Sequence, residues 1–202
     1  MGSPLMECKQ ERPVKTCGKC GGEVRMQPIP RYEPKAELMG GIRVQLCDSV
    51  KGLVCENCGN IVRADIPDLP GLIAAVAVGR AKEPLKLSGS EIRFLRKTME
   101  FTSRKVAELL TVSEETISRW ENGRLAIGSA NERLLRWTVC HVLGKKAPAI
   151  GWAAEEILQM DIRPVNVAGA ALVLGFCRVQ FKGEKATKTE PTWLEEPERK
   201  AA

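Results

Sequence analysis

The stretch Ser88–Arg124, SGSEIRFLRKTMEFTSRKVAELLTVSEETISRWENGR, predicts three short helices around which the rest of the chain is organised. Ser88 can begin the first helix, and with Glu91 three positions later it has the pattern of a capping box. Thr102 and Ser113 take the capping positions of the second and third helices. Apolar residues follow each cap at helical spacing, and we expect them to point inward: Ile92, Leu95, Met99, Val106, Ala107, Leu110, Ile117 and Trp120.

A tight turn at Thr111 and Val112 separates the second helix from the third. This arrangement predicts a helix-turn-helix, because the small Ala107 lets the two helices approach closely and the third helix can then lie in the DNA major groove. Gly123 ends the third helix in the usual C-terminal way. The alternative interpretation is an ordinary antiparallel helical bundle with a solvated face. The caps, the turn length and the inward residues together favour the helix-turn-helix.

The third helix carries polar residues that point away from its apolar side: Glu115, Thr116, Ser118 and Arg119. Arg119 can pair bidentately with guanine, Thr116 can touch a thymine methyl group, and Glu115 can accept from cytosine. This helix is therefore predicted to read base edges, and Arg119 is the first residue to substitute.

Two Cys-x-x-Cys pairs, in TCGKCGG at 16–22 and VCENCGN at 54–60, form an internal repeat. Each pair places two thiolates about one turn apart and is followed by a glycine that tolerates positive φ. Two such knuckles facing each other predict a tetrahedral site of Cys17, Cys20, Cys55 and Cys58, one structural Zn²⁺ per chain, and a zinc ribbon that requires its metal to fold. Iron is the less suitable metal. A redox pair is disfavoured because thioredoxin-like pairs begin a helix in a βαβ unit.

The remaining cysteines and the single histidine are predicted to have no site. Cys8 and Cys47 are interpreted as cysteines without a role at the metal site. In the alternative interpretation, Cys47 competes with the four knuckle cysteines as a metal ligand. Cys140 and Cys177 lie in apolar segments, where a free cysteine behaves as a small hydrophobe. His141 is expected to be structural.

Composition narrows the function classes. The 202-residue chain has a formal net charge of +6 and a pI near 8.9, which suits a nucleic-acid partner. Its aromatic content of 4% disfavours a surface on which the bases of a single strand could stack. For the same reason the ribbon is not expected to be an RNA- or polymerase-associated module. With a single histidine and no apparent catalytic set, an enzyme is not expected. The absence of a long apolar run or an N-terminal signal predicts a cytoplasmic protein without a membrane partner.

The domain organisation predicted from these signals is α+β, with a small N-terminal four-cysteine zinc ribbon followed by an all-α Xre-type (lambda-repressor-like) helix-turn-helix domain. The predicted segments are a disordered N-terminus at 1–15, the zinc ribbon at 16–64, an Ala-rich helical connector at 65–87, the helix-turn-helix domain at 88–162, an extra strand or helix at 163–181, and a disordered tail at 182–202.

The motifs CGKCGG, GLVCENCGN, SGSEIRFLRK and VSEETISRWENG, in this order, resemble the MqsA-type antitoxins, which join a YgiT-type zinc finger to an Xre-type DNA-binding domain. The resemblance covers about residues 16–143. It implies a homodimer, joined through its C-terminal domain, that binds a palindromic operator in double-stranded DNA and represses transcription. In antitoxin members the zinc domain holds a ribonuclease toxin.

Carried over residue by residue, the resemblance makes the four knuckle cysteines zinc ligands and gives base-reading positions to Thr116 and Arg119. The full set of candidate DNA contacts is Arg104, Ser113, Glu115, Thr116, Ser118, Arg119, Asn122 and Arg124. Two departures stand out. Ser103 replaces the usual glutamine of the second helix, so that Arg104 supplies the phosphate contact, and Thr111 occupies a turn position that usually holds glycine.

The sequence thus predicts an autoregulatory, antitoxin-like transcriptional regulator that acts as a repressor. The alternative is a toxin-neutralising antitoxin, in which the ribbon and the Ala-rich connector bind a small ribonuclease toxin.

Overall fold

The computed structural model describes residues 16–164, 172–183 and 189–196. Along the chain these residues form β1 (Val24–Tyr32), β2 (Arg43–Cys55), β3 (Ile61–Asp65), α1 (Leu69–Lys82), α2 (Gly89–Thr98), α3 (Ser103–Leu110), α4 (Glu114–Glu121), α5 (Ser129–Leu143), α6 (Ala154–Leu158), β4 (Val173–Phe181) and β5 (Glu190–Glu196). A 3-10 turn at Ala36–Met39 connects β1 to β2.

The long strand β2 is the centre of a mixed five-stranded sheet. β1 pairs antiparallel with it along one side. The other side is shared, because β3 pairs antiparallel with 51–54 while β4 pairs parallel with 43–47. β5 then pairs antiparallel with β4. One strand therefore belongs both to the ribbon and to a sheet completed by the C-terminal part of the chain.

This sheet shows that the predicted fold class is wrong. The chain is a mixed α/β fold, and not a small ribbon followed by an all-α helix-turn-helix domain. The physical reason is that β2 continues far beyond the ribbon and offers its second edge to β4. Local patterns in the sequence could not show this pairing, because its partners lie more than a hundred residues apart.

The C-terminal prediction also changes. The segment 163–181, for which strand or helix was left open, contains strand β4. The segment 182–202 was predicted to be a disordered tail, but 190–196 form β5. Trp193 anchors this strand: it is 1% exposed, its Nε1 donates to the backbone oxygen of Asp68 at 3.2 Å, and the Arg178 guanidinium lies 5.2 Å from its ring centroid. The predicted disorder at 1–15 lies outside the described residues.

The Ala-rich helix α1, predicted as a connector, is the centre of the core. Its side chains from Ala74 to Val78 are at most 1% exposed. α1 packs against the strands β4 and β5 and against the helices α2 and α5. Small side chains permit this close approach: a Cβ on Gly79 would lie 3.3 Å from the Phe176 ring. A helix that is apolar on all sides is expected to be buried, and α1 is.

A buried ionic network connects α1, α2 and α5. Arg80 donates from Nε to Glu91 Oε1 at 2.5 Å, and Arg136 donates to Glu132 Oε1 at 2.7 Å. Both arginines also donate to the backbone oxygen of Leu85, at 3.0 and 2.6 Å. Burial lowers the pKa of Arg136, while Glu132 opposes that effect. These contacts supply hydrogen-bond donors to carbonyl oxygens of the irregular segment between α1 and α2, which would otherwise be buried without partners.

The three helices predicted within Ser88–Arg124 are confirmed as α2, α3 and α4. The capping box is present, with Ser88 N donating to Glu91 Oε2 at 2.7 Å and Glu91 N to Ser88 Oγ at 3.3 Å. Thr102 caps α3 and Ser113 caps α4 through their side-chain oxygens. The residues predicted to point inward are buried, with exposures between 0 and 5%: Ile92, Leu95, Met99, Val106, Ala107, Leu110, Ile117 and Trp120.

Candidate metal centre and helix face

The structure brings the four predicted knuckle cysteines together. Their sulfur atoms all lie within 4.8 Å of one another. Cys20 Sγ is 3.4 Å from both Cys55 Sγ and Cys58 Sγ, and Cys17 Sγ is 3.8 Å from Cys58 Sγ. Metal–sulfur bonds of about 2.3 Å in tetrahedral geometry require sulfur separations of about 3.8 Å. The four thiols can therefore hold a metal ion with little rearrangement.

Both knuckles have the same backbone geometry. In the first, Cys17 N donates to Gly22 O at 2.8 Å and Gly21 N donates to Cys17 O at 2.8 Å. In the second, Cys55 N donates to Asn60 O at 3.0 Å and Gly59 N donates to Cys55 O at 2.9 Å. Gly21 and Gly59 have φ of +74° and +67°, which the absence of a Cβ makes inexpensive. The pairing of Val24 with Cys55 brings the two knuckles face to face.

Backbone amides prepare the first cysteine of each pair for metal binding. Lys19 N, 3.4 Å from Cys17 Sγ, and the Cys20 amide lower the pKa of Cys17 to about 6. The amide of Cys58 lowers the pKa of Cys55 in the same way. The Gly22 amide lowers the pKa of Cys20, but the neighbouring sulfurs of Cys58 and Cys55 outweigh it and raise that pKa to about 12. A bound cation would replace the proton that Cys20 donates to these sulfurs.

The group of four cysteines lies outside the main core. Cys17, Val24 and Cys55 form their own small buried cluster with Val62 beside it. Cys20 and Cys58 are exposed. The knuckle end of the sheet thus has little apolar burial of its own, which is the usual reason for a structural metal.

The other sulfur and imidazole groups lie elsewhere. Cys47 is in β2, outside the group of four, and Cys140 is fully buried, where burial raises its pKa to about 12. Cys8 lies outside the described residues. His141 stacks on Trp137, with ring centroids 4.9 Å apart and planes at 11°.

The candidate DNA contacts on and next to α4 face solvent. Glu115, Ser118, Arg119, Asn122 and Arg124 are exposed, and Thr116 is half-buried with its hydroxyl 3.0 Å from that of Ser113. Arg119 Nη2 donates to Glu115 Oε1 at 2.7 Å, with both side chains more than half exposed. On α3, Arg104 Nε donates to Glu108 at 3.1 Å in the same manner.

An ionic clamp that the sequence did not reveal holds α4 against α2. Glu121 is 8% exposed and accepts from Arg96 Nε at 2.5 Å and from Arg93 Nε at 3.3 Å. Burial raises the pKa of Glu121, but the two guanidinium groups outweigh it and hold the pKa below its ordinary value. Arg93 also donates to Asn122 Oδ1 at 2.7 Å, and Asn122 Nδ2 donates to Ser118 O at 2.8 Å. Spacing along the chain gave no signal for this contact, because its members look like ordinary exposed charges.

The turn between α3 and α4 places Thr111 at φ 54°, ψ 47°, a left-handed conformation. The turn that usually contains glycine is therefore formed here by a β-branched residue. A left-handed L-residue costs roughly 1–2 kcal/mol relative to a right-handed one. Thr111 therefore adopts the left-handed conformation itself and carries the strain of doing so.

Comparison with protein-family models, with curated proteins and with solved structures gave no match. None of the helices in the described parts of the chain combines the length and apolarity required to cross a bilayer.

Proposed function

We propose that this protein is a sequence-specific DNA-binding transcriptional regulator that reads the major groove of double-stranded DNA with α4 and binds one structural zinc ion per chain through Cys17, Cys20, Cys55 and Cys58. The observation that carries the proposal is the geometry of α4. It is a capped helix whose apolar side is buried against α2 and α3, while its polar side faces solvent next to a short turn. That is the presentation required of a recognition helix.

The outward side chains of α4 have the chemistry for base readout. Arg119 can donate two parallel hydrogen bonds to the O6 and N7 of guanine, and Glu115 can accept from cytosine N4. The ion pair between these two residues does not prevent this, since exposed pairs contribute only about 0.2–1 kcal/mol. Arg104, in the first turn of α3, and Arg124, just after α4, are exposed and suit phosphate contacts that fix the register.

The ionic clamp supports the same proposal. A recognition helix has to keep its angle to the rest of the domain when it enters the groove, because base contacts tolerate little displacement. Glu121 and Asn122 tie the C-terminal end of α4 to Arg93 and Arg96 of α2. The helix is therefore presented to DNA as a rigid element.

Zinc is the metal proposed because four thiolates in tetrahedral arrangement leave no open coordination position and suit a structural ion. Such an ion would hold the two knuckles together at the far end of β1 and β2. It would supply structural stability there, and no catalytic step is assigned to it.

A homodimer on a palindromic operator, with repression of its own transcription, follows from the resemblance to MqsA-type antitoxins and forms part of the proposal. The alternative function, neutralisation of a ribonuclease toxin, drew on the ribbon and on the Ala-rich helix as its interface. Most of α1 is buried, and its exposed apolar surface is confined to the first turn, where Leu69 is 40% exposed. The Ala-rich helix therefore offers a toxin little surface, and a toxin interface would have to lie mainly on the ribbon.

The test is selection of binding sites from random duplex DNA by the zinc-loaded full chain. We expect an enriched inverted repeat. Arg119→Ala should lose about 1–3 kcal/mol of binding free energy at one guanine position per half-site. Arg43→Ala is the matched control, because Arg43 is an exposed, ion-paired arginine of β2 and is not among the candidate DNA contacts. Enrichment of no inverted repeat, or equal losses in the two variants, would contradict the proposal.

A further inference from the structure

Cys47 and Cys177 lie directly opposite each other where β2 and β4 pair in parallel. The preceding pair in the ladder, Leu46 and Phe176, has no exposed surface and faces the core. Because side chains alternate along a strand, the two cysteines share the opposite, outer face of the sheet. Both are half-buried free thiols, so small reagents can reach them.

The register satisfies the first requirement of a disulfide. Neighbouring strands lie about 4.7–4.9 Å apart, and disulfide-bonded residues have Cα atoms about 4.4–6.8 Å apart. Cβ atoms of opposite residues in a parallel pair project to the same side of the sheet. The Glu196 carboxylate of β5 lies beside both thiols, and burial together with this carboxylate raises the pKa of each of them. Both thiols therefore lie beside one carboxylate, and their raised pKa values make thiol–disulfide exchange at this pair faster as the pH rises.

We propose that Cys47 and Cys177 form a reversible redox site, which closes to a disulfide across β2 and β4 when a low-molecular-weight disulfide such as oxidised glutathione is the oxidant. One cysteine, as thiolate, attacks the oxidant and releases one glutathione thiol, leaving a mixed disulfide. The second cysteine attacks that mixed disulfide and releases the other glutathione thiol. The protein loses two electrons and two protons, and the oxidant becomes two molecules of reduced glutathione. This inference is independent of the DNA-binding proposal.

The bond would fasten the C-terminal strands to the rest of the sheet. β4 is joined to β2 over residues 43–47 and 173–177, and β5 reaches the sheet through β4. β5 in turn holds Trp193 over the N-terminal end of α1 through the Asp68 carbonyl. A covalent link at Cys177 therefore stabilises the cover of the buried helix. A cross-link between residues so distant in sequence also restricts the unfolded chain strongly.

The test uses the purified, zinc-loaded full chain in glutathione buffers of increasing oxidised fraction, followed by alkylation, trypsin digestion and mass spectrometry. We expect one main product, in which the peptide 44–51 is linked to the peptide carrying Cys177, while the metal content stays constant. The midpoint of thermal unfolding should rise by about 5–10 °C. Hydrogen exchange should slow in 173–181 and 190–196.

Cys47→Ser and Cys177→Ser should abolish both the linked peptide and the thermal shift, whereas Cys140→Ser, with its thiol buried elsewhere, should retain them. The peptide map of the unmodified protein is decisive even if a variant folds poorly. The proposal is overturned if Cys47 and Cys177 remain free at the highest oxidised fraction, carry only separate glutathione adducts, or pair with other cysteines.

Discussion

Arg96 of α2 and Glu121 of α4 are joined by two hydrogen bonds, Nε to Oε1 at 2.5 Å and Nη2 to Oε2 at 3.0 Å. This fork-to-fork contact fixes the angle at which the polar side of α4 is presented. Glu121 is nearly buried and Arg96 is largely so. Loss of the carboxylate charge therefore removes a bidentate pair and leaves a shielded guanidinium with weaker partners.

Glu121→Gln should destabilise the protein by about 1.5–3 kcal/mol at pH 7. Because the folded pKa of Glu121 lies below its ordinary value of 4.5, this carboxylate stabilises the fold fully above about pH 4.5. The contribution is lost as the pH falls through the lower, folded pKa. Urea unfolding at pH 7, 4 and 3 should show the gap between the wild type and the variant narrowing in acid. A gap independent of pH would refute the assigned role.

Arg136→Met should cost about 3–5 kcal/mol, because it removes the buried partner of Glu132 and leaves that carboxylate to Lys86. It also takes a donor away from the carbonyl oxygens of Glu83 and Leu85. Both side chains are 0% exposed. Guanidinium chloride unfolding measures the loss. Lys145→Met, at an exposed position just beyond α5, removes the same charge and should change stability by less than about 0.5 kcal/mol. Similar costs for the two variants would show that the buried network contributes little.

Thr111→Gly should stabilise the protein by about 0.5–1 kcal/mol, because glycine removes the strain of the left-handed conformation. Part of this stabilisation is offset, since glycine also increases the conformational entropy of the unfolded chain. Thr98→Gly, within α2, is the opposite case. It removes the hydrogen bond from Thr98 Oγ1 to Phe94 O and should destabilise by about 1 kcal/mol or more. The midpoint of thermal unfolding should be higher than that of the wild type for Thr111→Gly and lower for Thr98→Gly. A loss of stability at Thr111 would mean that the threonine side chain makes a compensating contact.

Removal of the metal by a chelator should unfold the knuckle end of the sheet and leave the helices folded. The reason is that β2 is anchored in the main core through Val44, Leu46 and Val50, whereas the knuckle cluster is small and separate. We expect hydrogen exchange to accelerate at 17–27 and 55–65, with the helical circular dichroism retained. Cys55→Ser should mimic chelation, and Cys47→Ser, on the same strand, should keep the metal. Global unfolding on chelation would contradict this division.

Local signals in the sequence predicted much of the candidate site. The capping residues, the inward positions of α2–α4 and the meeting of the four knuckle cysteines depend on residues close together in the chain or on a repeated motif. The sheet could not be predicted in this way. Nothing near Cys177 indicates that it pairs with Cys47, and Trp193 stands among charges that are typical of a solvated tail. Glu121 was missed for a related reason, since its partners lie on a different helix.

The placement of β5 has a consequence for the order of folding during synthesis. The helices α2, α3 and α4 contain their own caps and local contacts, so they can form as soon as they leave the ribosome. The apolar α1 is made earlier but receives its cover of Phe176 and Trp193 only when β4 and β5 emerge. Until then the nascent chain exposes an apolar helix and an unpaired edge of β2, which are features that chaperones bind. Completion of the sheet is therefore the late, long-range step in the maturation of this protein.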